Sequence, residues 1–252
     1  MFKLKFLAVM WIYFFLVLAG ALAFTLSTLT AGGGALILLP VLSFMIGAVN
    51  VPPVLNLGNF IGRPVRLVLF WRHIRWEIVW YYLPASLVGA FLGAWLLTSF
   101  QSKTLQVIIG LFLVSTIFQY RFGKKKRSFE MKPWYFVPLG LVIPFISTVT
   151  GALGPLLNPF LLNYDMKKEE LIATKTFNSF AAGVVQIGSY TFFGALYGEL
   201  WLWGLALGVG IGIGNFTGKK LLARITEKSF RQWAIAFMVI SGILLIVRAF
   251  YS

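Results

Sequence analysis

Ten apolar stretches divide the chain. They cover residues 6–29, 33–48, 51–70, 77–98 and 104–119. After a polar interval at 120–132 they resume at 134–150, 152–163, 170–195, 200–222 and 230–250. Most approach the roughly 20 apolar residues that a helix needs to cross a hydrocarbon core. The pattern predicts an all-α polytopic membrane protein with five segments on each side of a basic linker. Its units are a first transmembrane repeat over 1–120, a cytoplasmic linker over 121–132 and a second repeat over 133–252.

The two sets of five align with each other. Ser27-Thr28-Leu29-Thr30-Ala31-Gly32-Gly33-Gly34 matches Ser147-Thr148-Val149-Thr150-Gly151-Ala152-Leu153-Gly154. Further on, Asn59-Phe60 matches Asn178-Ser179, Gly89 and Gly93 match Gly214 and Gly218, and Leu96-Leu97 matches Leu221-Leu222. One such match could be chance, but four in the same order point to an internal duplication. The N-terminus has the composition of a secretory signal, with Lys3 and Lys5, an apolar run over 6–18 and Ala21-Leu22-Ala23. Its counterpart in the second half argues that it stays as a first segment.

Composition strengthens the membrane reading. Charged residues make up 12% of the chain, against about 25% in soluble domains, too few to clothe a soluble fold of this size. The net charge of +15 does not point to nucleic acid, because the cations cluster in short loops, as in Arg72 with Arg75 and Lys124-Lys125-Lys126-Arg127. Such clusters mark the cytoplasmic side of a membrane protein. With no cysteine, disulfides and thiolate chemistry are excluded. His73 is the sole histidine, and metal sites need several ligands.

Charge also predicts orientation. The loops at 71–76, 120–132, 164–170 and 219–231 carry most of the Lys and Arg. They share one side if each half crosses an odd number of times. The second half then runs opposite to the first, as two inverted repeats, and both termini lie outside the cytoplasmic membrane. Lys3 and Lys5 conflict with that placement, but two charges weigh less than four clusters.

Candidate chemistry concentrates in the second segment of each half, which is short and interrupted by Gly and Pro: Gly32-Gly33-Gly34 to Pro40, and Gly151 to Gly154-Pro155 and Pro159. Broken helices at matching positions, meeting near the midplane, point to a transporter's binding site. Glycine admits close backbone approach, and helix starts there would aim free N–H groups at an anion. Thr28, Thr30, Thr148 and Thr150 add hydroxyl donors. Asn59 and Asn178 sit at equivalent places in long apolar segments, and Gln186 lies two turns beyond Asn178. Arg63 follows Asn59 by one turn; intramembrane ionisable residues are costly and usually functional, and Arg63 reads equally as a contact for a substrate anion or as a snorkelling cation. Arg66 and Lys175 read as snorkelling cations. The Gly89 and Gly93 pair, like Gly214 and Gly218, reads as helix packing. Glu77, Glu130, Asp165, Glu169, Glu170, Glu199 and Glu227 all fall in loops or at segment ends, so the path suits an anion and lacks a carboxylate proton relay.

The duplicated Ser-x-x-Thr-Gly/Ala-x-x-Gly turn, the Pro after it, the Asn-bearing helix and the Gly-x3-Gly segment before Leu-Leu resemble the sulfite exporter TauE/SafE family, also called the toluenesulfonate uptake permease family. The likeness runs over about 7–247. It implies a secondary transporter, by alternating access, for a sulfur-containing anion such as a sulfonate or sulfite. It also implies a central site formed by the two Gly-rich turns and the Asn-bearing helices. Taken together, the substrate-binding candidates are Thr28, Thr30, Gly32, Gly33, Gly34, Asn59, Arg63, Thr148, Thr150, Gly151, Gly154, Asn178 and Gln186. The halves are uneven: Ala152-Leu153 stands opposite Gly32-Gly33, and Ala182 opposite Arg63. The alternatives are a channel-like anion pore and a membrane subunit of a larger transport complex. An enzyme is not expected, since the chain lacks HExxH, Cys and a general base within the membrane, and no phosphate loop would power transport from within it. The expected partners are the small anion and the lipid bilayer, without cofactor, metal or nucleic acid. Transport direction, coupling ion and oligomeric state, a homo-oligomer included, stay open.

Overall fold

The computed structural model describes residues 2–29, 34–99, 102–119, 131–152, 156–164 and 166–221, with positions 239, 240, 243, 246, 247 and 250 beyond them. Among these residues the chain forms nine α-helices in order and no strand. They are α1 (Phe2–Leu29), α2 (Gly34–Ile46), α3 (Val51–Phe70), α4 (Trp76–Ser99), α5 (Ser102–Gln119), α6 (Phe136–Thr150), α7 (Asn158–Asn163), α8 (Lys168–Phe192) and α9 (Glu199–Leu221). Each corresponds to a predicted apolar segment. The tenth segment, 230–250, and the linker 121–132 lie almost wholly outside the described residues.

The short second segments behave as their Gly and Pro content suggests. Helix α2 rises about 20 Å and α7 about 9 Å, both less than the roughly 30 Å hydrocarbon core. Helix α7 begins at Asn158, later than the predicted segment start at 152, and Pro159 falls in its first turn, where a missing N–H is harmless. Pro40, Pro64, Pro84 and Pro144 sit inside longer helices. Membrane helices accept this where neighbours satisfy the freed carbonyls.

Helices α3 and α8 form the centre. Every residue from 51 to 59 of α3 is buried, so the first half of α3 is enclosed on all sides. It packs against α9 and α8, while α8 also packs against α4. Two further pairs flank this centre, α1 along α9 and α4 along α6. Their outer faces are apolar: Phe14, Leu18 and Leu22 of α1, Trp80, Phe91 and Trp95 of α4, and Leu202, Val209 and Phe216 of α9 are all exposed. Apolar side chains on the outside and amides within are what a lipid solvent demands. The spans Trp76–Ser99, Pro133–Thr150 and Glu199–Gly218 are long and apolar enough to cross a membrane, so the chain is a multi-pass membrane protein.

Contact registers fix helix directions. Along α1 and α9, Val17 meets Gly210, Ala21 meets Gly214 and Thr25 bonds Thr217, so the two run parallel. Leu57 meets Gly204 and Ile61 meets Gly208, making α3 parallel to α9. Tyr82 meets Gly140 and Gly93 meets Phe145, making α4 parallel to α6. Trp76 meets Phe177 and Phe91 meets Phe193, making α4 parallel to α8. Across the centre the sense reverses, because Phe60 meets Gly183 while Arg63 reaches back to Ser179. Thus α1, α3 and α9 run one way and α4, α6 and α8 the other. The ends of α3 and α9 and the starts of α4, α6 and α8 share one end of the bundle. There Arg75 pairs with Glu170 at 3.6 Å, and the Arg75 backbone N–H donates to the Thr174 hydroxyl at 3.0 Å.

Glycine permits these close approaches. A Cβ on Gly89 would strike the Leu141 carbonyl, and one on Gly214 the Ala21 carbonyl. Gly93 also faces α6, where its Cβ would lie 2.8 Å from the Phe145 carbonyl. By contrast, a Cβ on Gly188 would meet nothing within 4 Å. We therefore expect Gly89→Ala to lower stability by about 1–3 kcal/mol through overpacking. Gly188→Ala should be neutral or slightly stabilising, since alanine is the better helix former. Thermal unfolding of both variants in the same detergent is the check, and equal melting temperatures would refute the packing role of Gly89.

Candidate functional site

A polar side chain inside an apolar bundle must find a partner or carry an unpaid desolvation cost. Sorting the buried polar groups by whether they have one locates the site.

The C-terminal end of α6 is fully committed. Pro144 offers no N–H of its own, and its carbonyl accepts from the Thr148 hydroxyl at 2.7 Å. The Thr150 hydroxyl lies 2.8 Å from the Ile146 carbonyl and 2.9 Å from that of Ala152. Gly151 ends the helix in the left-handed region, φ +79°, with its N–H on the Ser147 carbonyl at 2.8 Å. A Cβ there would also lie 2.9 Å from Cα of Pro52, so glycine is required by conformation and by space. This turn therefore docks on the start of α3. Asn56 of α3 seals the junction by donating through Nδ2 to the Ser147 carbonyl at 3.1 Å and to the Tyr190 hydroxyl at 2.9 Å. Tyr190 in turn donates to the Thr148 carbonyl, and Gln186 donates to the Thr148 hydroxyl at 2.8 Å. The group ties α3, α6 and α8 together.

The centre of the α3–α8 crossing differs. Phe60 and Phe180 stack with centroids 4.7 Å apart and planes within 6° of parallel. One turn along, Arg63 donates from Nη1 to the Ser179 carbonyl at 2.8 Å. Its guanidinium occupies space left by Gly183, whose Cβ would lie 3.4 Å from that nitrogen. Arg66 and Lys175 lie within electrostatic reach of each other and of Arg63, which gives this layer a concentration of positive charge. The same two helices carry two further buried amides. Asn59 is 6% exposed and Asn178 1%. Neither has a hydrogen-bond partner among the described residues; the Asn178 side-chain oxygen is wholly buried and unsatisfied, as are those of Asn56 and Asn215, whose Nδ2 groups are bonded.

The sequence-derived candidates thus divide. Arg63 lies at the crossing, on the Ser179 carbonyl, while Asn59 and Asn178 immediately precede Phe60 and Ser179 in the two crossing helices. Gln186, Thr148, Thr150 and Gly151 belong to the α6 junction, where the hydroxyl protons expected to serve a ligand rest on nearby backbone carbonyls. Gly34 opens α2 and packs back on α1, its Cβ position 2.8 Å from the Ala23 carbonyl. Thr28 lies in the last turn of α1. Thr30, Gly32, Gly33 and Gly154 lie outside the described residues. Three contributors were missed: Asn56, Tyr190 and Asn215, the last donating to the Gly62 carbonyl at 3.1 Å. Asn56 precedes Asn59 by three residues and Tyr190 follows Gln186 by four, so the shared helix faces could have disclosed both. Among the described residues no three His, Cys, Asp or Glu side chains gather to hold a metal.

The family model described as sulfite exporter TauE/SafE matches residues 16–245, nearly the whole chain. No curated protein and no solved structure matches it.

The paired network and the unpaired amides should respond differently to mutation. Tyr190→Phe removes the donor to Thr148 and the acceptor of Asn56, and leaving such buried groups unsatisfied costs about 1–3 kcal/mol. The expected result is a lower melting temperature with ligand affinity little changed. A loss of affinity at unchanged stability would move Tyr190 into the binding site.

Proposed function

The chain belongs to the sulfite exporter TauE/SafE family and so is a membrane transporter of sulfur anions; from that premise we propose that it is a secondary transporter whose anion binds at the α3–α8 crossing. The carrying observation is the pair Asn59 and Asn178, buried amides with no hydrogen bond at either end among the described residues, whereas Asn56 and Asn215, whose oxygens are also unpaired, are each held through Nδ2, and Gln186, Thr148 and Thr150 each make at least one bond. Unsatisfied buried polar groups in a folded protein call for an explanation, and a bound oxyanion supplies one. Each amide would donate to it, and the Arg63 guanidinium would raise the local potential for an anion without a matching charge in the other half.

An inverted-repeat architecture supports this reading. The approach of Gly89 to the Leu141 carbonyl is answered by Gly214 at the Ala21 carbonyl, and that of Gly140 to Tyr82 by Gly20 to Leu207. These are the positions that the sequence duplication pairs, and the corresponding helices run in opposite senses. The crossing lies midway along α3 and α8, where inverted-repeat transporters place their substrate. Rocking of one half against the other around that point would give alternating access. The basic end of the bundle is the cytoplasmic one, which leaves both termini outside.

Two tests follow. Asn59→Ala and Asn178→Ala should each weaken sulfite or sulfonate binding about 10- to 150-fold, the worth of a hydrogen bond to a charged group. Melting temperature without ligand should hold or rise, because an unpaid desolvation cost is removed. Calorimetry with parallel melts decides, and unchanged affinity with a lowered melting temperature would make these amides structural. For orientation, a single cysteine at position 124 should resist impermeant thiol reagents in intact cells and react after lysis. Labelling in intact cells would invert the topology.

A further inference from the structure

Building on the site just proposed, we infer that its ligand presents an O–H donor beside its anionic oxygens. An amide has two ends, and the Asn178 side chain has no partner at either among the described residues, whereas Asn56 and Asn215, whose oxygens are also unpaired, are each anchored through Nδ2. The N–H end wants an acceptor, which any sulfur oxyanion offers. The oxygen wants a donor, and a sulfonate or fully deprotonated oxyanion has none. Exchanging the amide's oxygen and nitrogen changes which end faces inward and not the requirement for both. Arg63 is directed to the neighbouring backbone: it donates from Nη1 to the Ser179 carbonyl, one residue along from Asn178. A hydrogen-bearing oxyanion such as hydrogen sulfite fits, with its O–H on the Asn178 oxygen and its charged oxygens toward the Asn59 amide and Arg63. A hydroxyalkanesulfonate has the same chemistry from an alcohol O–H. A site built for such a group rejects analogues lacking it, because its own polar atoms are then left unpaired.

Simple electrostatics predicts the opposite. The titratable and charged groups facing this layer are Arg63 and Arg66 of α3, Lys175 of α8 and Tyr82 of α4. Arg72 and His73 lie in the turn after α3, while α6 and α7 contribute none. A purely cationic site would bind sulfite more tightly as it becomes a dianion. A site requiring the O–H would bind it less.

The test uses purified full-length protein and calorimetry in two arms. In the first, sulfite affinity is measured through the pH range where hydrogen sulfite loses its proton, with methanesulfonate as the reference that cannot titrate. Relative to methanesulfonate, apparent sulfite affinity should fall toward tenfold per pH unit above the ligand's own pKa, as the competent form is depleted. In the second, 2-hydroxyethanesulfonate is compared with ethanesulfonate at fixed pH, and the hydroxyl should improve binding about tenfold or more. A gain in the first arm alone assigns the acid O–H, and in the second alone the alcohol. Asn178→Ala should abolish whichever preference is found. If sulfite affinity is flat or rises with pH and the hydroxyl gives nothing, the inference is overturned, while methanesulfonate binding that depends on Asn59 would leave the site itself standing. No binding of any ligand would overturn both.

Discussion

Inside a bilayer no water is available to satisfy a stray polar group, so each backbone and side-chain dipole must be paired within the protein. The rest of this structure follows from that constraint. It makes every spanning element a helix. It turns the Thr148 and Thr150 hydroxyls onto nearby carbonyls and draws Asn56, Tyr190 and Gln186 into one network around the end of α6. Each polar side chain named at that junction makes at least one bond, so the failure of Asn59 and Asn178 to make any among the described residues is informative. The same constraint that pairs the junction sets the crossing apart.

A second constraint is distance. Lipid gives little hydrophobic driving force between helices, so association relies on close packing through small residues. The contacts of Gly89 and Gly140 between α4 and α6 recur as those of Gly214 and Gly20 between α1 and α9. The tightly packed flanking pairs enclose the α3–α8 centre on both sides. Gly183 extends the logic into the site, where the missing side chain makes room for the Arg63 guanidinium.

Much of this was legible in the sequence because hydropathy and glycine are strong local signals. The segments 51–70 and 77–98 became Val51–Phe70 and Trp76–Ser99. The duplication paired Gly89 with Gly214, and each packs against a carbonyl of a neighbouring helix; the family resemblance stated from the two Ser-Thr-Gly turns agrees with the match over 16–245. Less legible was which polar residues would pair. Thr148 and Asn178 look alike as isolated polar positions, and only the partner helix distinguishes them. Thr148 has Gln186 within reach, whereas Asn178 has no hydrogen-bond partner among the described residues. The segment expected from 152 has its helix only from Asn158, where Pro159 satisfies the first-turn preference.

The central claim is positional: the anion rests between α3 and α8. Crystals soaked with selenite, a heavier analogue of sulfite, would locate it through the anomalous signal of selenium. The account predicts a peak at the crossing, within hydrogen-bonding distance of the Asn59 and Asn178 amides and beside the Phe60–Phe180 stack. A peak confined to the basic loops at the bundle's end, with the crossing empty, would contradict it.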